Sequence, residues 1–434
     1  MVGGGAGGLE LATQLGDRYG RGTRAHVTLV DRSRTHLWKP LLHEVAAGSM
    51  DIHAHQLDYL AQARWHWFTF VQGALEGLER QARHIRVAAV VDDEGEEILP
   101  ARRIPYDTLV LAIGSESNDF GTPGVREHAF TIDNAWQAHL FHRRLVNSCF
   151  RANYKGVDSA GASQPRGPVI DIAIVGAGAT GVELAAELHN TIRVLTAYGL
   201  ENFDPQRQIR LTILEAGPRI LPGLPEHIMK GALATLESLG VHVLTGDPVV
   251  EVTAERVKTK SGHEVPADFT VWAAGIRCPE VLREIDGLET NRQNQLVVLQ
   301  TLQSSRDVDI FALGDCAAVP WKDGRNVPPR AQAAHQMSSH LAKTIARRLA
   351  GKAPTPFAYR DFGSLVSLGN YETVGTLMGF LGGGTLRVEG LLAKLFYLSL
   401  YRLHIWALHG FWRMALDTLA RMIRRQTDPK VKLH

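Results

Sequence analysis

The sequence predicts an α/β fold in which a strand–turn–helix–strand unit occurs twice and is followed by C-terminal amphipathic helices. A GxGxxG pattern begins at Gly3 and again at Gly176, and each copy precedes a helical pattern and then an apolar run that ends on an acidic residue. These apolar runs are nearly continuous, which is typical of parallel strands buried on both faces. Residues 391–434 mix aromatic side chains with eight Lys or Arg and two Asp, a charge of +6.

The composition is that of a globular protein with a large core. The chain has 434 residues, 45% hydrophobic and 21% charged, and at roughly 100–200 residues per domain this length predicts two to four domains. Cys149, Cys278 and Cys316 match neither a disulfide framework nor a zinc spacing, which indicates a reducing compartment and excludes a CxxC thiol relay. No secretory signal is visible. The histidines outside the C-terminal stretch, including His53 and His55, show no cluster at metal-ligand spacing, so we expect no metal site and surface positions for them.

The first unit has an unusually short beginning. Gly3, Gly5 and Gly8 fit GxGxxG, but only Met1 and Val2 stand where a central strand of about five residues is usual. A helix is predicted over 9–20, and strands over 25–31, which ends on Asp31, and over 107–115. Because most of the expected strand before Gly3 is missing, the simplest hypothesis is that translation begins upstream of Met1. A chain that truly starts at Met1 should bind its ligand weakly.

The second unit is complete and predicts a dinucleotide site. A strand runs into Gly176, Gly178 and Gly181, and in such a loop the glycines make the turn, admit the pyrophosphate and pack the helix on the strand. The next strand ends on Glu215, placed to accept hydrogen bonds from a ribose diol and to repel a 2′-phosphate. NADH is therefore favoured over NADPH. Arg219 is the alternative partner for a phosphate, although Pro218 beside it favours a structural turn.

The chain resembles the type II, non-proton-pumping NADH:quinone oxidoreductases, within the FAD-dependent pyridine nucleotide-disulfide reductase superfamily. The resemblance extends over essentially the whole length and implies two Rossmann-like dinucleotide-binding domains, one for FAD and one for NADH. It is carried by residues 3–8 (GGGAGG), 35–48 (THLWKPLLHEVAAG), 106–115 (YDTLVLAIGS), 176–188 (GAGATGVELAAEL), 213–222 (ILEAGPRILP), 272–276 (WAAGI), 312–317 (ALGDCA) and 330–342 (RAQAAHQMSSHLA).

The resemblance assigns residues to each ligand. For FAD it implies Gly3, Gly5, Ala6, Gly7, Gly8, Asp31, Arg32, Lys39, Ala112, Gly114, Asp315 and Ala333. For NADH it implies Gly176, Gly178, Thr180, Gly181, Glu215, Ala274 and Gly275. As catalytic residues it implies Glu183, Gln332, His335 and Gln336.

Several of these residues also have a plain structural interpretation. Gln332 and Gln336 stand at i and i+4, so on a helix both amides lie on one face and can bracket a carbonyl-bearing ring, or simply form a solvated face. His335 is either a proton donor to reduced quinone or a structural histidine. Glu183 is either a catalytic group or a carboxylate favoured by the helix dipole. Met337 stands where the family often has another glutamine.

The C-terminal region is expected to lie on a membrane rather than cross it. Lys394, Arg402 and Arg413 interrupt it, and its longest uncharged stretch, residues 403–412, is far shorter than the roughly 20 residues that span a bilayer. Aromatic and cationic side chains together suit helices in the headgroup plane of an anionic membrane. The alternative is packing on the protein's own core or at a homodimer interface.

We therefore predict a peripheral flavoenzyme on the cytoplasmic face of the inner membrane. Hydride passes from NADH to FAD and electrons then pass to a membrane quinone, with no nucleic-acid partner. The predicted divisions are a first FAD-binding part (1–157), a linker (158–168), an NADH-binding domain (169–290), a second FAD-binding part with the quinone-site helix (291–360) and a membrane-association region (361–434). The alternatives are a soluble NADH-dependent reductase of a protein acceptor and a flavin-binding interaction or redox-sensing module without turnover.

Overall fold

The computed structural model describes residues 1–22, 24–158, 169–198, 200, 204–368, 372–378, 385–424 and 431. The predicted linker therefore lies outside the described residues except for Asp158. The labelled strands are β1 (Thr28–Asp31), β2 (Thr69–Gln72), β3 (Leu109–Leu111), β4 (Ala129–Thr131), β5 (Ile170–Val175), β6 (Ile209–Glu215), β7 (His242–Thr245), β8 (Phe269–Trp272), β9 (Gln303–Ser304), β10 (Asp307–Ala312), β11 (Gly363–Leu368), β12 (Glu372–Met378) and β13 (Thr385–Glu389). The labelled helices are α1 (Ala6–Tyr19), α2 (Leu42–Ala47), α3 (Tyr59–His66), α4 (Ala135–Asp158), α5 (Ala179–Ala197), α6 (Glu226–Ser238), α7 (Ala331–Leu349), α8 (Gly390–His409) and α9 (Phe411–Arg424).

Short elements connect these. Two antiparallel three-stranded sheets are formed by Leu75–Glu79, His84–Val87 and Arg102–Pro105, and by Val249–Val252, Arg256–Thr259 and Glu264–Pro266. Four strand pairs are Thr35–His36 with Leu57–Asp58, Val90–Val91 with Glu97–Leu99, Glu116–Ser117 with Ile276–Arg277, and Leu296–Val297 with Ala317–Ala318. Short helices are Ile52–His55, Val125–His128 and Pro205–Gln208.

The first sheet is parallel except at one edge, and Val2 lies at its centre. The strands run in the order β2, β1, Val2, β3, β10 and β9, with β9 antiparallel to β10. Val2 donates its N–H to Val110 O at 2.9 Å, and its carbonyl accepts from Ala112 N at 2.7 Å. On the other side Gly3 N donates to Val30 O at 2.8 Å. One residue thus bridges β1 and β3 and delivers the chain to the glycine loop.

The second sheet has the same parallel design, in the order β4, β8, β5, β6 and β7. Its central strand β5 is buried almost throughout and runs directly into the second glycine loop. Strand β4 precedes the predicted linker and falls within residues 1–157, yet it pairs with β8 of this sheet. The second sheet therefore includes a strand from before the linker.

A third, antiparallel sheet of β11, β12 and β13 follows α7 and leads into α8 and α9. Strand β11 packs against α5, and α8 packs against both this sheet and α1. Helix α8 therefore packs directly against the first dinucleotide unit.

Candidate cofactor and substrate sites

The two glycine loops have matching geometry. Gly3 and Gly176 have φ of +100° and +107°, the left-handed region that favours glycine. A Cβ on Gly8 would collide with the carbonyl oxygen of Gly3, just as one on Gly181 would collide with that of Gly176. The third glycine of each motif is therefore required for close packing of helix on strand.

The second glycine of each loop instead faces open space. A Cβ built on Gly5 or Gly178 meets nothing within 4 Å, and both residues are helix N-caps, at the start of α1 and of α5. A helix N-terminus carries unpaired N–H groups and the positive end of the helix dipole. Each loop thus offers an open cradle that fits a pyrophosphate.

The acidic residue of each unit is held by two backbone N–H groups. Asp31 accepts from Gly4 N at 2.6 Å and from Ser33 N at 2.7 Å. Glu215 accepts from Ala177 N and Gly217 N, both at 2.7 Å. Gly4 and Ala177 occupy the same place in the two motifs, so both carboxylates are oriented at the loop in the same way. Burial raises the pKa of Asp31, and its two backbone hydrogen bonds oppose that shift.

Three other predicted FAD contacts lie together. Lys39 Nζ donates to Ser115 O at 2.7 Å, and Ser115 Oγ donates to Asp315 Oδ2 at 2.7 Å. Gly114, next to Ser115, has φ of +72° and nothing within 4 Å of its Cβ position. The carboxyl end of the first sheet thus brings together the Lys39 ammonium, the Ser115 hydroxyl and the Asp315 carboxylate beside Gly114.

The remaining predicted FAD residues support this site from its edges. Ala112 follows β3 and pairs with Val2, and Ala333 is buried on α7. Gly7 is where α1 meets α7, because a Cβ there would lie 2.9 Å from the carbonyl oxygen of Ala334. Ala6 starts α1. Arg32 is exposed and lies 3.2 Å from Glu116 Oε1.

In the second unit the other predicted NADH residues surround the loop. Thr180 is exposed in the first turn of α5. A Cβ on Gly176 would meet the backbone of Ala274, and Gly275 has φ of +59°. Arg219 donates to Pro222 O at 2.9 Å, so its guanidinium is engaged in a local turn.

Glu183 lies where three parts of the chain meet. It is buried on α5, accepts from Ser367 N of β11 at 3.0 Å, and lies 3.7 Å from His43 Nδ1 of α2. Burial raises the pKa of Glu183 to about 8, aided by Glu44 and Glu187 and opposed by the Ser367 hydrogen bond. Burial lowers the pKa of His43 to about 4. Near neutral pH the carboxyl group is therefore protonated and the imidazole is neutral.

Gln332 and Gln336 lie on one face of α7, and both hold the segment that enters β11. Gln332 donates to Gly363 O at 2.9 Å and accepts from Phe362 N at 3.1 Å. Gln336 donates to Arg360 O at 2.8 Å and accepts from Arg360 N at 3.0 Å. The two amides therefore act as a clasp on the backbone of 360–363.

His335 points to the other side of α7. Its Nδ1 lies 2.7 Å from Glu10 Oε2 of α1, and this hydrogen bond raises the pKa of His335. The imidazole is half exposed, while Glu10 is buried. The pair ties α7 to α1.

Comparison with known proteins identifies the family. The protein family described as "Pyridine nucleotide-disulphide oxidoreductase" matches residues 1–338 of this chain. The type II NADH:quinone oxidoreductase of Haemophilus influenzae is 44% identical over 440 residues, which cover 100% of this chain and 99% of that protein. The type II NADH:quinone oxidoreductase of Staphylococcus saprophyticus is 30% identical and covers 87% of this chain and 89% of that protein.

The chain belongs to the type II NADH:quinone oxidoreductases. Among solved structures, NDH2 from Plasmodium falciparum in complex with NADH has a TM-score of 0.79 at 17% identity and covers 99% of both chains. The sulfide:quinone oxidoreductase of Aquifex aeolicus has a TM-score of 0.68 at 18% identity, over 94% of this chain and 90% of that one. These likenesses confirm the predicted α/β fold with two dinucleotide-binding units.

In this oxidoreductase the three cysteines are buried thiols. Burial raises the pKa of Cys149 to about 12 and that of Cys316 to about 11, and it raises the pKa of Cys278 as well. A thiol, unlike a thiolate, is a poor nucleophile. Among the described residues no group of three or more His, Cys, Asp or Glu side chains is arranged to hold a metal.

The prediction of surface positions was wrong for His36, His43 and His142, which are buried. His404, in the C-terminal region to which that prediction did not apply, is buried as well. The signal for His36 and His43 was present, because both lie in the segment 35–48 that carried the family resemblance. Tyr59 and Ser115 were not predicted from the sequence, since their hydrogen bonds reach distant parts of the chain: Tyr59 bonds to Gly4, and Ser115 to Lys39 and Asp315.

No helix within the described part of the chain is both long enough and apolar enough to span a bilayer.

Proposed function

We propose that this member of the family binds FAD in its first unit and NADH in its second, and that it reduces a quinone at a membrane surface. The observation that carries the proposal is the paired geometry of the loops. Two glycine loops, each with an open cradle and a carboxylate held by two backbone N–H groups, fit two dinucleotides. When bound, FAD supplies the redox chemistry, accepting hydride from NADH and passing electrons to the quinone.

The first unit fits FAD through Gly3, Gly5, Asp31, Lys39 and Asp315. The N-terminus of α1 faces the cradle at Gly5 and suits the pyrophosphate. Asp31 has its carboxylate fixed at the tip of β1 by Gly4 N and Ser33 N, where it would accept a hydrogen bond from the adenosine ribose. Lys39 and Asp315, joined through Ser115, lie at the same carboxyl edge of the sheet, beyond β3 and β10, and would orient the rest of the FAD molecule.

The second unit fits NADH and discriminates against NADPH. Glu215 presents a fixed carboxylate where a ribose 2′-hydroxyl donates, and a 2′-phosphate at that place would be repelled. Arg219 donates an N–H to the Pro222 carbonyl, which directs its guanidinium into the local turn.

Glu183 and the clasp residues complete the reacting site. Glu183 extends from the NADH-binding unit to His43 of the first unit, so it holds a proton on a carboxyl group at the junction of the two. That proton is available to a reduced acceptor. Gln332 and Gln336 fix residues 360–363 beside α7 and so shape the quinone's approach.

The activity test is NADH oxidation by the FAD-loaded protein with a soluble quinone, run in parallel with NADPH. We expect quinone reduction with NADH and a kcat/KM for NADPH lower by about two orders of magnitude, the size of a buried charge mismatch of roughly 3 kcal/mol. FAD-loaded protein that oxidises NADH without reducing quinone would refute the proposal.

The proposed membrane contact is the exposed apolar face of α9. Its exposed large apolar side chains are Phe411, Trp412, Leu416, Leu419, Met422 and Ile423. Arg413, which lies over the Trp65 ring, and Arg421 accompany them on the same helix. An amphipathic helix with aromatic and cationic side chains suits the headgroup region of an anionic bilayer.

Flotation with anionic vesicles tests this contact. Leu416 is 67% exposed, and Val308 on β10 is equally exposed, so the two make a matched pair. We expect Leu416→Glu to reduce the floating fraction several-fold and Val308→Glu to leave it unchanged. Wild-type protein that stays at the bottom of the gradient would support a soluble reductase instead.

A further inference from the structure

Two buried histidines connect α8 to the first glycine loop. His36 Nε2 lies 2.9 Å from His404 Nε2 of α8, and His36 Nδ1 lies 2.9 Å from Gly4 O. His36 is 4% exposed and His404 is 7% exposed. Gly4 lies between Gly3 and Gly5, the first two glycines of the GxGxxG pattern.

The chemistry of Gly4 fixes the tautomer of both rings. A carbonyl oxygen only accepts hydrogen bonds, so His36 must carry its proton on Nδ1 and donate to Gly4 O. Neutral His36 then has a lone pair on Nε2. The Nε2–H of His404 is therefore the donor to His36. A directional chain of two hydrogen bonds thus runs from α8 to the loop.

The surroundings keep this chain neutral and aligned. Burial lowers the pKa of His36 to about 4 and, with help from the nearby His36, His335 and His409, lowers that of His404 well below its ordinary value. The His404 ring stacks on Trp38, with ring centroids 5.8 Å apart and planes 14° apart. Tyr401, one turn earlier on α8, contacts the same indole at 5.6 Å.

The peptide groups at Gly4 are constrained on every side. Tyr59 Oη donates to Gly4 O at 2.7 Å alongside His36, and Gly4 N donates to Asp31 Oδ2 at 2.6 Å. A side chain at this position would overlap the Tyr59 ring. The direction of the Gly4 carbonyl therefore sets the path of the loop and the orientation of the Asp31 carboxylate.

We propose that His404 is a positioning residue for FAD, acting through His36 on Gly4. The proposal rests on FAD binding in the first unit, as argued above. It makes the affinity for FAD depend on a hydrogen bond donated by α8, a helix that contributes none of the predicted FAD-binding residues. By linkage, FAD binding in turn stabilises α8 against the first unit by the same factor.

The test compares variants of the full-length protein. His404→Phe keeps an aromatic ring against Trp38 but removes the donor and leaves the buried His36 Nε2 without one. His404→Gln restores an N–H close to the place of Nε2. Tyr401→Phe is the matched control on the same helix, since it keeps the ring beside Trp38 and lies away from Gly4. His404→Leu replaces His404→Phe if the latter does not fold.

The readouts are the FAD dissociation constant of reconstituted protein and amide hydrogen exchange of residues 3–6 without FAD. We expect His404→Phe to weaken FAD binding about ten-fold, the loss of one buried hydrogen bond, and to speed exchange in the loop. The FAD dissociation constant of His404→Gln should stay within about two-fold of the wild-type value, because the amide N–H replaces the lost donor. Tyr401→Phe should bind FAD as tightly as wild type.

Equal FAD affinity in His404→Phe and wild type would overturn the proposal. Equal losses of FAD affinity in His404→Phe and His404→Gln would also overturn it, because that result would indicate an effect of side-chain packing rather than of a directed hydrogen bond. Wild-type protein that binds no FAD would overturn the proposed function and this inference together. If amide hydrogen exchange of residues 3–6 still becomes faster in His404→Phe in that case, α8 would position the loop but would have no role in FAD binding.

Discussion

The pKa of Glu183 leads to a prediction about stability. In the folded chain this pKa is about 8, against an ordinary value of 4.5, so between these values the folded state holds a proton that the unfolded state releases. The stabilisation is complete below pH 4.5 and is lost as the pH rises towards 8. At 1.36 kcal/mol for each pH unit, the free energy of unfolding should fall by about 4 kcal/mol between pH 5 and pH 8.

Glu183→Gln isolates this contribution. The amide oxygen can still accept from Ser367 N, but the side chain cannot ionise. We expect the difference in unfolding free energy between wild type and variant to change by about 4 kcal/mol over that range, in favour of the variant at high pH. Urea unfolding at several pH values measures it, with Glu226→Gln as the control, because Glu226 is an exposed carboxylate whose pKa is lowered by Lys230.

Infrared spectroscopy gives an independent readout on the folded protein. At pH 6 the wild type should show a protonated carboxyl band that Glu183→Gln lacks and that Glu226→Gln retains. A stability difference that is constant from pH 5 to pH 8, together with no change in that band, would refute the assignment of a buried, protonated Glu183.

Three further predictions concern the loops and the clasp. Gly178 has φ of −70° and open space at its Cβ position, so Gly178→Ala should fold normally but raise the KM for NADH about ten-fold, because its methyl group enters the proposed pyrophosphate cradle. Gly181→Ala should instead lower the free energy of unfolding by about 1–3 kcal/mol, because its Cβ would meet the Gly176 carbonyl. Steady-state kinetics and urea unfolding separate the two variants. Glu215→Gln should raise the KM for NADH about five-fold and lower the ratio of kcat/KM for NADH to kcat/KM for NADPH. A ratio equal to that of wild type would contradict this prediction. Gln332→Met, which removes the hydrogen bonds to 362–363, should raise the KM for quinone about five-fold while leaving the KM for NADH unchanged, as measured by varying each substrate in turn.

The fold was predictable from the sequence because its determinants are local. A glycine motif, the helix after it and the acid at the next strand tip lie within about 40 residues, and the packing of Gly181 on Gly176 follows from that spacing. The same short-range logic placed Asp31 and Glu215 at their loops.

Contacts between distant segments were not predictable in this way. His36 and His404 are 368 residues apart, and nothing in either neighbourhood encodes the other. Gln332 and Gln336 were correctly placed on one helix face, but that their amides hold residues 360–363 depends on how β11 crosses α7. Likewise Glu183 has a raised pKa because of tertiary burial, a property that a helical pattern does not reveal.

The interleaving of the two sheets determines the order in which they can be completed as the chain is made. The second sheet needs only β4 to β8, so all its strands are present once residue 272 has emerged from the ribosome. The first sheet must wait for β10 at 307–312, which lies against β3. The second unit, proposed to bind NADH, can thus finish first although it begins later. The first unit, proposed to bind FAD, closes last because its sheet combines Val2 with β10.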